Sequence, residues 1–139
     1  MLVNKRNLSV ESKIRTLLAI SNQAILVEDS AVVGFSNNAV TVPANSPRDE
    51  FAILPKDGGG YAVPSWVKSV RDGKSNLVIF RNIDMLSKEE QERFLQILKH
   101  KSISGVDLPK DLRIILTFRK GGENLLNDKL LEYVVPIQE

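Results

Sequence analysis

The sequence has no cysteine, which removes disulfides, thiolate metal centres and cysteine nucleophiles together. It has a single histidine, His100, so no metal cluster built on several imidazoles can form. Its longest apolar runs are about five to seven residues, far short of the roughly 20 that a membrane-spanning helix requires. The amino terminus, MLVNKRNLSVESK, lacks the apolar stretch of a secretory signal. Charge of one sign is also scarce: the formal net charge of +2 does not by itself point to nucleic acid or an anionic membrane, although a sequence pI near 8.9 leaves room for a basic patch. These absences leave a cytoplasmic location as the default expectation, with no membrane contact, metal or cofactor.

What is present suffices for one core. A chain of 139 residues, 42% hydrophobic and 26% charged, reads as a single domain that buries roughly two-thirds of its unfolded surface. Ser9 to Ile20 reads as a helix, with Ser9 as N-cap and Val10, Ile14, Leu17 and Leu18 as its apolar stripe. Three short β-branched runs follow, Ala24 to Val27, Ala31 to Phe35 and Ala39 to Val42. The turn-forming Glu28-Asp29-Ser30 and Ser36-Asn37-Asn38 separate them, and this tight spacing predicts local antiparallel hairpins. Pro43 to Pro64 reads as a loop with a flexible Gly58-Gly59-Gly60 run.

The second half alternates helices and strands. A helix over Ser65 to Arg71 leads to Leu77 to Phe80, a strand apolar at every position and therefore buried on both faces. Ser87 to His100 is the strongest helix signal, with a Ser87/Glu90 capping box, acids in the first turn, bases in the last, and Phe94, Leu95 and Leu98 on the buried side. After a turn at Ser104-Gly105 come a strand over Leu112 to Phe118, a short helix over Asn124 to Leu131 and a last strand over Tyr133 to Ile137. This alternation predicts an α/β domain with three layers and a largely parallel sheet flanked by helices.

Four segments, in order and spacing, resemble the MoxR-type branch of the AAA+ ATPases over roughly residues 50 to 137. They are Tyr61-Ala62-Val63-Pro64-Ser65-Trp66-Val67-Lys68, the strand LVIFRNIDML from Leu77 to Leu86, Gln91 to Leu98, and Asp107 to Ile115. The resemblance implies an AAA+/P-loop NTPase-like fold. It also implies catalytic positions that this sequence does not fill. Ala24 to Val27 matches the strand before the phosphate loop, but acids follow it where phosphate needs backbone amides and a lysine. The expected hairpin would replace the phosphate-loop region, with Glu28 and Asp29 in its turn and metal ligation the weaker reading for them.

At the Walker B position the magnesium-holding Asp matches Arg81 and the water-activating Glu matches Asn82. A guanidinium cannot ligate a cation, and an amide is a far poorer base than a carboxylate. Asp84, beyond the strand, is expected to help start the next helix. Thr117-Phe118-Arg119 stands at the sensor tip, Glu132 falls where many family members carry an arginine finger, and the chain stops where their helical lid would begin.

The resulting expectation is a catalytically inactive AAA+-like module, with no catalytic, cofactor-binding or metal residues, that serves as an interaction or scaffold domain for another protein subunit or as a homo-oligomer. One alternative is a regulatory subunit of an ATPase assembly that retains weak nucleotide binding or lends a cation in trans, for which Arg119 and Lys120 are the candidates. Another is nucleic-acid binding through Lys5, Arg6, Lys13 and Arg15 or through Lys99, His100, Lys101 and Lys110. The absence of interleaved aromatics weighs against it. Trp66, the only tryptophan, is a third interaction candidate, although the pattern Val63, Trp66, Val67, Val70 favours a core position.

Overall fold

A computed structural model describes residues 5–35 and 39–137, with side chains from residue 10 onward. Five strands form one sheet: β1 (Ala24–Glu28), β2 (Val40–Pro43), β3 (Leu77–Arg81), β4 (Arg113–Phe118) and β5 (Val134–Pro136). Their order is β2-β3-β4-β1-β5, and every pairing is parallel. The central strands β3, β4 and β1 are those with the longest apolar runs. A strand buried on both faces must be apolar at every position, so composition and place in the sheet agree.

Alternation along the strands divides the core into two. Ile25, Val27, Leu77, Ile79 and Ile115 face the helix α1 (Lys5–Ile20), where Val10 and Ile14 meet them. Leu26, Val78, Phe80, Leu116 and Phe118 face the opposite layer, which holds α2 (Ser65–Arg71), α3 (Leu95–His100) and α4 (Asp128–Leu131). The expected three-layer α/β arrangement is therefore observed.

The expected hairpins are not. Ala31 to Phe35 belongs to a 3₁₀ helix, Asp29–Phe35, packed on the α1 side, and β1 and β2 lie in one parallel sheet separated by β4 and β3. Within that turn Ala31, Val32 and Phe35 are buried while Val33 is 72% exposed. Burial at i, i+1 and i+4 is a helical face rather than strand alternation. The proposed turn at Ser36-Asn37-Asn38 lies outside the described residues. Ser9 is not an N-cap, because α1 begins at Lys5.

The segment from Pro43 to Pro64 is more ordered than a plain loop. It contains a 3₁₀ turn, Arg48–Phe51, and a two-stranded antiparallel ribbon pairing Leu54–Pro55 with Tyr61–Ala62. Gly58, Gly59 and Gly60 turn the ribbon with φ of 85°, 105° and 77°, a backbone region in which side-chain-bearing residues are strained. Trp66 is 2% exposed, meets Phe80 edge-on at 5.2 Å between ring centroids, and donates its indole N–H to the Glu50 carbonyl at 2.7 Å. As an interface anchor it is therefore corrected: it is a core residue with its polar edge satisfied.

Ser87 to His100 is not one α-helix. The Ser87/Glu90 pair forms, with the Glu90 N–H donating to Ser87 Oγ at 3.1 Å, but Glu90–Phe94 is a 3₁₀ helix and only Leu95–His100 is α-helical. Here the fully buried Gln91 donates from Nε2 to the carbonyls of Leu86, at 3.1 Å, and Leu125, at 2.7 Å, and accepts from the Asn127 N–H at 2.8 Å. One side chain thereby ties the β3–α3 connection to the β4–β5 connection. The residues before β5 likewise split, into a 3₁₀ turn (Glu123–Leu125) and the short α4.

Candidate functional site

Parallel α/β sheets bind ligands outside the carboxyl ends of their strands, where neighbouring strands send their onward connections to opposite faces. Adjacent β4 and β1 meet that condition, since the 3₁₀ helix after β1 packs on the α1 face and α4, after β4, packs on the other. The register sets the ends of the three central strands level, pairing Glu28 with Phe118 and Phe80 with Leu116. Alternation then turns Arg81 and Thr117 toward the α1 face, the side of Ile79 and Ile115.

There they close on Asp29, the first residue of the 3₁₀ helix. Arg81 donates from Nε to Asp29 Oδ1 at 2.9 Å and from Nη2 to Asp29 Oδ2, a two-pronged pairing that matches guanidinium to carboxylate. Thr117, fully buried, donates its hydroxyl to Asp29 Oδ1 at 2.6 Å and accepts the Asn82 N–H at 2.9 Å. The ends of β1, β3 and β4 are thus held by one network of four residues. Asn82 turns the chain out of β3 with φ 63° and ψ 55°, a left-handed conformation that Asn tolerates better than most residues. Its Oδ1 is buried without a protein hydrogen-bond partner.

Hydrogen bonds from Arg81 hold the Asp29 carboxyl below its ordinary value of 3.8, against desolvation and with help from Thr117. Asp29 in return raises the pKa of Arg81. Because the folded-state value lies below the unfolded one, the pair stabilises the fold fully above the unfolded value and loses that contribution as pH falls through the folded one. Between about pH 5 and about pH 2 the urea midpoint of the wild-type chain is expected to fall more steeply than that of Asp29→Asn, the two curves converging at the acid end. Parallel curves would contradict a charged pair at this position.

Asp84 is also placed differently from expectation. It lies in a 3₁₀ turn, Ile83–Met85, with its side chain 1% exposed, and starts no helix. It accepts the Arg119 N–H at 3.0 Å and Arg119 Nε at 2.8 Å, fastening the turn after β3 to the chain leaving β4. Arg119 makes this contact with a side chain that is still 54% exposed, and Lys120 is exposed as well. Gly122 sits so close that a Cβ there would lie 2.6 Å from Asp84 Oδ2 and 2.9 Å from the Arg119 carbonyl oxygen.

The other sequence candidates lie elsewhere. Arg15 pairs with Glu11 at 2.8 Å and covers the Phe35 ring. Lys101 donates from Nζ to the Lys110 carbonyl at 2.7 Å, and His100 and Glu132 are exposed at the amino end of the sheet. The side chains of Lys5 and Arg6 lie outside the described residues. Among the described residues no group of three or more His, Asp or Glu side chains is placed to hold a metal ion. Sequence reasoning named Asp29, Arg81, Asn82 and Thr117 separately but did not bring them together. The charge opposition of Asp29 and Arg81 was the available signal.

Chemically, among the described residues the arrangement offers no free carboxylate or lysine on the α1 face of these strand ends. Both Asp29 oxygens are already used as acceptors, the guanidinium is used as a donor, and the Asn82 amide has no basic lone pair. β1 runs directly into a 3₁₀ helix whose first side chain is an acid.

No protein-family model matches the chain, and no curated protein matches it in sequence. Solved structures do match in fold. NtrX from Brucella abortus superposes with a TM-score of 0.57 at 19% identity, covering 91% of this chain and 35% of that one. NtrX from the same organism in complex with ADP gives a TM-score of 0.59 at 16% identity, covering 99% and 36% respectively. The chain thus spans about a third of the length of the structures it matches. What it shares with these structures is the fold: a parallel five-stranded sheet flanked by helices.

Proposed function

We propose that the chain is a catalytically inactive AAA+-like module, related by its motif order to the MoxR-type branch, that serves as an interaction or scaffold domain for another protein subunit. The observation that carries this reading is the Arg81–Asp29 pair. It sets a cation where the fold would place a magnesium-holding acid, and it uses that cation internally. A phosphate approaching this point meets a cation already neutralised by Asp29, with no loop of backbone amides to receive it. Asn82 stands where a base would be needed and cannot take a proton from water.

The trans-acting alternative finds less support. Arg119 is held by Asp84, which leaves Lys120 as the candidate cation for a neighbour's site. Steady-state phosphate release from ATP and magnesium tests the proposal. The expected result is no release above the buffer rate. Turnover that Asn82→Ala abolishes would place a working water-activating residue there and overturn the reading.

A further inference from the structure

The face of the sheet opposite Arg81 carries a second feature at the same strand ends. Glu28 and Asp29 are consecutive but diverge: Asp29 turns to Arg81 on the α1 side, and Glu28 follows Leu26 onto the face of α4. Between β1, β4, β5 and α4 lies a cleft of about 390 Å³, with Leu26, Phe118, Leu126 and Ile137 as its apolar wall. Leu131, 41% exposed, continues that apolar lining toward solvent.

Two carboxylates border this cleft, the half-buried Glu28 and the exposed Glu123. Neither is in an ion pair among the described residues; Glu28 has only a long contact, 3.4 Å, from the Ser30 hydroxyl. An apolar cavity with two uncompensated acids at its border repels phosphates and favours a group that is apolar at its tip and positive beside it. Its size is within the ordinary range for ligand pockets, about 300–1,000 Å³, and admits one large side chain.

We infer that this cleft is the docking point for a protein partner that inserts one leucine- or phenylalanine-sized side chain flanked by lysine or arginine. The inference rests on the interaction-module reading and gives it a partner chemistry. The apolar side chain supplies the buried anchor that dominates small interfaces, and the flanking cations meet Glu28 and Glu123. Discrimination comes from sign: an acidic segment carrying the same apolar residue would face like charges at the entrance.

The test is a nitrogen–proton correlation NMR titration of the full chain with acetyl-Lys-Phe-Lys-amide, and in parallel with acetyl-Glu-Phe-Glu-amide. The basic peptide is expected to give saturable shifts at the Phe118, Glu123, Leu126 and Leu131 amides, with a dissociation constant on the order of millimolar for so small a probe. The acidic peptide is expected to leave those amides unmoved. Glu28→Gln combined with Glu123→Gln is expected to weaken the basic peptide about fourfold, each rim-exposed pair being worth a factor of about two. Equal binding of the two peptides, or no shifts at these amides, would overturn the inference. Shifts at the same amides on raising protein concentration alone would also overturn it, by assigning the cleft to a second copy of the chain. ATP with magnesium, added to the same sample, separates the two readings. Shifts confined to the Asp29, Arg81 and Asn82 amides would count against the inactive-site reading, while silence there with no peptide response would overturn the cleft assignment alone.

Discussion

Replacing Arg81 by aspartate, which puts an acid at the position that the proposed relationship aligns with Walker B, is expected to destabilise the domain by about 2–3 kcal/mol at neutral pH and to confer no hydrolysis. Breaking a fully buried ion pair from one side costs about 3–5 kcal/mol, and the lower figure here reflects solvent screening of an Arg81 side chain that is 42% exposed. Two carboxylates would then face each other beside Thr117, and one of them would hold a proton. The folded-state value of that group would lie above its unfolded value, so the variant should gain stability as pH falls through it, opposite to the wild type. Urea midpoints of both proteins at about pH 7 and about pH 4.5 check this: the gap between them should narrow on acidification. An unchanged midpoint at neutral pH would show that the pair stabilises nothing. Hydrolysis should stay absent, because β1 still runs into a 3₁₀ helix beginning with Asp29 rather than into a phosphate loop.

Phe80→Ala is expected to have the larger effect on stability, a loss of about 3–5 kcal/mol. Phe80 is fully buried and its ring meets those of Trp66 at 5.2 Å, Phe94 at 5.1 Å and Phe51 at 6.0 Å. These neighbours come from α2, from the 3₁₀ helix before α3 and from the 3₁₀ turn after β2, so the cavity left behind would loosen three connections at once. Domains are stable by only about 5–15 kcal/mol, and for a chain of this length the melting temperature should drop by on the order of 10–20 °C. Thermal unfolding followed by circular dichroism measures it, and a drop of less than about 3 °C would mean that the aromatic cluster is not a centre of the core. Phe80 also directly precedes Arg81, so the same packing that stabilises the sheet fixes the end of β3 at which the ion pair forms.

The parts of the fold that could be read from the sequence are those in which local pattern and burial coincide. Leu77 to Phe80 is apolar throughout and Leu112 to Phe118 is apolar except at Arg113 and Thr117, and both lie in the middle of the sheet. Ser65 to Arg71 has helical spacing and forms α2 with Trp66, Val67 and Val70 buried. The run from Ala31 to Phe35 misled because β-branched residues are common to strands and to short buried turns, and five residues carry too little period to separate them. Gln91 could be seen within a motif, but its burial depends on carbonyls contributed by Leu86 and Leu125, the latter 34 residues away.

The site was half legible for the same reason. Arg81 and Asn82 could be read as a guanidinium and an amide leaving a buried strand, since the type of side chain at a position is a local fact. That Arg81 reaches across β4 to Asp29, the residue after β1 and 52 residues away, depends on the order β3-β4-β1 and on a level register, neither of which a single strand encodes. Reading residues 24–42 as hairpins also puts Asp29 in a tight turn, where pairing with Arg81 cannot be foreseen.

The most direct measurement is an isothermal titration of the chain with ATP in the presence of magnesium. If the Arg81–Asp29–Thr117 network fills the place where phosphates and metal would sit, no saturable heat should appear up to about 1 mM nucleotide. Micromolar binding that disappears when the magnesium is chelated would contradict it.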